Sequence, residues 1–135
     1  MALRSTVNQM GRELEALGYV TLERSAYNQK DKNCFEIACY LAELCGYGHP
    51  KSRRELIKLI FTHRRRQLFG GDPLPTETPS EACFVIRTPD NPTNVHVAFE
   101  LYGKEFNYGP GTREDFPIER RIYLRKKTEE PFADN

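Results

Sequence analysis

The sequence predicts an α+β fold, and three observations carry the prediction. Apolar residues recur at helical spacing through the first half of the chain, whereas from Ala82 onward the period falls to two, as on half-buried strands. Helices first and strands second is the order of a helical layer packed on an antiparallel sheet. With 135 residues, 39% of them hydrophobic, the chain has the size of one domain and can bury a core without disulfides or a structural metal. A single domain over residues 1–135 is expected, with a tail over 127–135 that frays.

Val7, Met10, Leu14 and Leu17 form one apolar stripe closed by Gly18, so residues 6–17 read as an amphipathic helix. A short extended piece at Tyr19-Val20-Thr21-Leu22 leads into a polar loop running from Ser25 to Lys32. In Asn33-Cys34-Phe35-Glu36, Asn33 can accept from the first free amides while Glu36 reaches back in a capping box. A helix therefore starts at Cys34 and runs to Gly46. Its apolar residues cover nearly every face, which marks a central, buried helix. Ser52-Arg53-Arg54-Glu55 reads as a second capping box, opening a helix through Leu56, Ile57, Leu59, Ile60 and Leu68 with a basic outer face.

Gly70-Gly71-Asp72-Pro73 ends that helix and begins a loop of about a dozen residues, near the length at which loops tend to be functional or mobile. Strands are predicted at Ala82–Arg87, Val95–Leu101, Lys104–Tyr108 and Ile118–Lys126, with a Pro/Asn loop over 88–94 and a two-residue turn at Tyr102-Gly103. The result is an antiparallel sheet of four strands against which the Cys34 helix should pack.

A net charge of +1 supplies no global field that would draw nucleic acid or an anionic membrane. No apolar run approaches the roughly 18 residues of a membrane span, and the start lacks the basic-then-apolar order of a signal peptide, so a soluble chain with no membrane partner is expected. Arg64-Arg65-Arg66, Arg53-Arg54, Arg120-Arg121 and Arg125-Lys126-Lys127 could line a phosphate-binding stripe, with Tyr102, Tyr108 and Tyr123 stacking on bases. With 19 acids against 20 Lys and Arg, such runs are more often solvated faces, and nucleic acid is not the expected partner.

Three of the four cysteines, Cys34, Cys39 and Cys45, fall on one apolar helical pattern, and Cys83 begins a strand; reduced thiols and a reducing compartment such as the cytoplasm are expected. Their spacing fits no usual zinc pattern, and His49 and His63, with no partner at ligand spacing, read as surface residues. No metal is expected. No glycine-rich phosphate loop occurs, and no cofactor is expected either.

Cys34 stands apart by position. At a helix N-terminus the first amides are unpaired and the dipole favours an anion, which lowers a thiol pKa and offers donors to a developing oxyanion. A nucleophilic thiol needs a base, and the base needs an orienter. In Val95-His96-Val97-Ala98-Phe99 the alternation puts His96 and Ala98 on the face opposite the valines and Phe99. If Tyr102-Gly103 is the turn, Leu101 pairs with Lys104 and Ala98 with Asn107, so Asn107 becomes the diagonal neighbour of His96. A slip of one residue would move Asn107 to the wrong face. Cys34 as nucleophile, His96 as base and Asn107 as orienter are the candidate catalytic residues.

Asn33-Cys34-Phe35 opening a buried helix, then Asn94-Val95-His96-Val97-Ala98-Phe99, then Gly103-Lys104-Glu105-Phe106-Asn107-Tyr108-Gly109, together resemble the papain-like cysteine peptidase superfamily. The likeness is to its small bacterial toxin and effector domains, and it covers about residues 28–110. The resemblance implies a papain-like fold, a Cys34–His96–Asn107 triad and a protein substrate attacked through a thioester. It also implies an oxyanion donor upstream of the thiol, for which Gln29 and the adjacent Asn28 are the candidates. Protease and glutamine deamidase both remain open, as does action in a target-cell cytoplasm after delivery. The Asn33-Cys34-Phe35 start is also similar to ovarian-tumour-type deubiquitinases, which use the same triad chemistry. A binding domain without catalysis, for RNA or protein, with RNA contacted through the basic helix of residues 52–68, is the reading of another class.

Overall fold

The computed structural model describes residues 7–18, 33–88, 95–107 and 116–127. Over these the fold is α+β, with helices α1 (Val7–Ala16), α2 (Cys34–Leu44) and α3 (Arg53–Phe69) preceding strands β1 (Ala82–Arg87), β2 (His96–Leu101), β3 (Lys104–Phe106) and β4 (Ile118–Tyr123). The four strands form one antiparallel sheet in the order β3-β2-β1-β4.

The α2 start follows the capping logic closely. Glu36 N–H donates to Asn33 Oδ1 at 2.8 Å and Asn33 N–H donates to Glu36 Oε1 at 3.4 Å, so two orphan amides are satisfied reciprocally. At α3 only half of the expected box forms. Glu55 N–H donates to Ser52 Oγ at 3.1 Å, but the Glu55 carboxylate turns to the Lys51 amide, one residue upstream of the cap. On α1, Met10 and Leu14 are buried while Leu17, expected on the same stripe, lies beyond the helix end and is exposed.

Alternation divides the sheet into two faces of different character. Phe84, Ile86, Val97, Phe99 and Ile122 face the helices and join the main core with Phe35, Ile37 and Leu41 of α2 and Leu56 and Ile60 of α3. Phe35 meets Phe84 edge to face, with ring centroids 6.4 Å apart, so the buried helix seats directly on the sheet. The opposite face carries a small apolar cluster of Cys83, Val85 and Ala98 beside Tyr123. The expected turn sets the register: Tyr102 and Gly103 both have positive φ, 49° and 81°, as a type I′ hairpin requires, and Leu101 pairs with Lys104.

Three differences from the sequence reading are local. Strand β3 ends at Phe106 instead of reaching Tyr108, and β4 ends at Tyr123, although Leu124 N–H still donates to the Ala82 carbonyl and Lys126 bridges Tyr47. The stretch after Gly71 contains a 3-10 turn at Pro75–Glu77, pinned by Arg66 on Glu77 and by His63 on Thr76. His63 and His49 are buried, 1% and 6% exposed, not on the surface. His63 lies one turn beyond Leu59 and Ile60 and its Nε2 bonds Thr76 Oγ1 at 2.7 Å, while His49 is held by the Pro50 carbonyl and the Glu43 carboxylate. The expected extended piece at 19–22, the loops at 25–32 and 89–94, and the tail beyond 127 lie outside the described residues.

Candidate active site

Three side chains singled out in the sequence come together where α2 meets the start of β2. Cys34 is the first residue of α2, half-buried, with the capped helix end around it. His96 is the first residue of β2 and 3% exposed. Asn107 follows the end of β3, where the ladder has stopped; the last β2–β3 pair is Phe99 with Phe106. Val97 lies beyond that pair, and its backbone and the His96 side chain both act on the Cys34 sulfur, favouring its charged form. Asn107 sits behind the ring, its Oδ1 2.8 Å from His96 Nε2.

The polarity of each bond follows from its neighbour. Asn107 Nδ2 donates to Glu105 Oε2 at 2.6 Å, and a carboxylate only accepts, so the amide nitrogen faces Glu105 and the amide oxygen faces His96. An amide oxygen also only accepts, so Nε2 of His96 carries the proton and Nδ1 is the nitrogen left for the thiol. Glu105 in turn receives Arg87 Nε and Nη2 at 2.9 and 2.8 Å, and Arg87 Nη1 donates to the Phe116 carbonyl.

The electrostatics single out one thiol of four. Burial pushes the Cys34 thiol up, but the hydrogen bonds from His96 and the Val97 amide, with the positive charges of His96 and Arg53, more than offset it, so its pKa lies below the ordinary thiol value. Cys39 is pushed up to about 12 by burial and by the charges of Glu43 and Glu36. Burial likewise raises Cys45 to about 11 and, together with Glu100, raises Cys83. All four cysteines are free.

Gln29 and Asn28, the oxyanion candidates, lie outside the described residues. Among the described residues no group of three or more His, Cys, Asp or Glu could hold a metal ion. Glu105 and Arg87 were missed in the sequence, yet both were within reach of the same register argument. Glu105 shares a face with Asn107 two residues on, and Arg87 is the β1 partner of His96. Searched against family models, curated proteins and solved structures, the chain matches none.

Proposed function

We propose that this chain is a thiol-dependent hydrolase of papain-like type, cleaving an amide carbonyl of a protein substrate through a thioester on Cys34. The observation that supports it most is the convergence of three groups: His96 bonds Asn107 on one side and, on the other, acts on the thiol of Cys34, which lies more than sixty positions earlier in the chain. Core packing alone gives no reason for a thiol, an imidazole and an amide to meet in that order with matched donors and acceptors.

In this reading Nδ1 of His96 takes the thiol proton, and the thiolate attacks the carbonyl carbon. The free amides at the start of α2 stabilise the oxyanion, as helix N-termini do for developing negative charge. When the tetrahedral intermediate collapses, the C–N bond breaks and His96 hands its proton to the leaving nitrogen. Water then enters, gives a proton to His96 and its oxygen to the acyl carbon, and the thiol is restored. A peptide bond in the groove makes a protease and a Gln side chain a deamidase; the steps are the same. A toxin or effector role in a target cell, and a deubiquitinase role, are finer forms of this proposal carried by the sequence resemblance.

The nucleic-acid reading draws less support. Arg64 is bound to Glu119, Arg66 to Glu77 and Arg121 to Glu100, so part of the basic stripe is taken up in ion pairs. No helix among the described residues is long and apolar enough to cross a membrane.

The test compares wild type with Cys34→Ala on host and bacterial lysates by mass spectrometry. New peptide termini identify a protease, and the small mass gain of Gln becoming Glu identifies a deamidase. His96→Ala should lose about three orders of magnitude or more in rate, and Asn107→Ala less, because it only orients the base. Wild-type lysates indistinguishable from those treated with Cys34→Ala would overturn the hydrolase reading.

A further inference from the structure

The triad does not end at Asn107. Behind it, on the sheet face away from the helices, Glu105 accepts from the Asn107 amide nitrogen, and Arg87 grips both oxygens of Glu105 while a third bond ties it to the Phe116 carbonyl. Arg87 and Glu105 are largely buried, with side chains 14% and 16% exposed. We propose that Glu105 and Arg87 are positioning residues of the site: Glu105 fixes which end of the Asn107 carboxamide meets His96, and Arg87 fixes Glu105. The inference rests on the hydrolase reading above.

A carboxamide has two ends of nearly equal shape and opposite polarity. Turned over, Asn107 would offer N–H to Nε2 of His96, the ring proton would move to Nδ1, and the thiol would face a donor instead of a base. Nothing in the Asn–His pair alone forbids that turn. Glu105 does, because it would bring the amide oxygen against a carboxylate oxygen at the 2.6 Å now spanned by a hydrogen bond. The restraint needs Glu105 ionised and immobile. Burial works against ionisation, but Arg87, Asn107 and the charge of His96 hold the Glu105 carboxyl below its ordinary pKa. A residue that merely stabilised the sheet would need no such alignment with the imidazole.

The experiment follows iodoacetamide alkylation of Cys34 at neutral pH, resolved from Cys39, Cys45 and Cys83 by peptide mapping, with circular dichroism confirming the fold. Wild-type Cys34 should react faster than the other three thiols. Glu105→Ala should slow Cys34 by about tenfold, the usual order for loss of a partner behind a ligand or base. Asn107→Asp sets two carboxylates against each other and should slow it similarly. Adding Glu105→Gln to Asn107→Asp reverses the donor and acceptor, since the new amide donates to the new carboxylate and its oxygen still accepts from Arg87. The double variant should recover to within about threefold of wild type, a coupling between neighbours that independent structural losses do not produce. Fully additive losses, or a Glu105→Ala protein that reacts like wild type, would overturn the positioning role and leave the hydrolase reading standing. A wild-type Cys34 no faster than the other thiols would overturn both.

Discussion

A histidine on the inward stripe of α3 makes the stability of the fold depend on pH. Leu56, Leu59, Ile60 and His63 stand at helical spacing on that stripe, although a histidine without partners at metal-ligand spacing reads from sequence as a surface group. It is buried with Thr76 as partner, and burial, with Arg120 and Arg66 nearby, holds it below its ordinary pKa of 6.5 in spite of Glu77 and Glu119. A histidine lowered in the folded state binds its proton more readily when unfolded, so stability is full above 6.5 and declines as pH falls toward the folded value. Denaturant midpoints measured across that range should fall for wild type. His63→Gln, which cannot take the proton, should lack that part of the decline. Cys34 divides differently. Its place at the helix start is legible in Asn33-Cys34-Phe35-Glu36, whereas the influence of Val97 is not, because more than sixty positions separate the two residues.

At the level of elements, what was local in sequence was legible and what was held from afar was not. The Asn33 box, the Tyr102-Gly103 turn and the strand register are set by neighbours in the chain, and they placed Asn107 beside His96. The 3-10 turn at Pro75–Glu77 reads from sequence as open loop because its anchors, His63, Arg66 and Arg125, come from α3 and from beyond β4. The half-formed box at Ser52 is of the same kind, since nothing in the spacing says that Glu55 will choose the Lys51 amide. The cap at α2 bears both on the stability of the helix and on the Cys34 thiol. Asn33→Ala should cost about 1 kcal/mol of unfolding free energy, the usual worth of an N-cap. Cys34 should then alkylate more slowly, because fraying of the first turn disperses the amides that favour its anion. Chemical denaturation and the alkylation rate check the two halves of that expectation.

Across the whole molecule, near-neutral composition conceals a connected charge pattern. Arg64 of α3 and Arg120 of β4 converge on Glu119, which also accepts from Thr88, and Arg64 above all, with Arg120 and Thr88, brings the Glu119 carboxyl down to about 2 despite partial burial. A carboxyl lowered on folding contributes stability that is present above its ordinary value of 4.5 and is lost as pH falls toward about 2. Glu119→Gln should therefore lower the unfolding midpoint at neutral pH, and its difference from wild type should shrink to nothing across that acid window, as followed by near-ultraviolet circular dichroism. Such a tie between the helical and sheet halves was not legible, because 55 positions separate Arg64 from Glu119.

The same division into halves gives the site a schedule. Cys34 belongs to the helices, which leave the ribosome first, while His96 and Asn107 belong to the hairpin, which leaves later. A nascent chain holding only the first half carries Cys34 without His96 and Asn107. Under the proposed hydrolase function each copy is thus born inert and becomes competent only as its hairpin docks on α2.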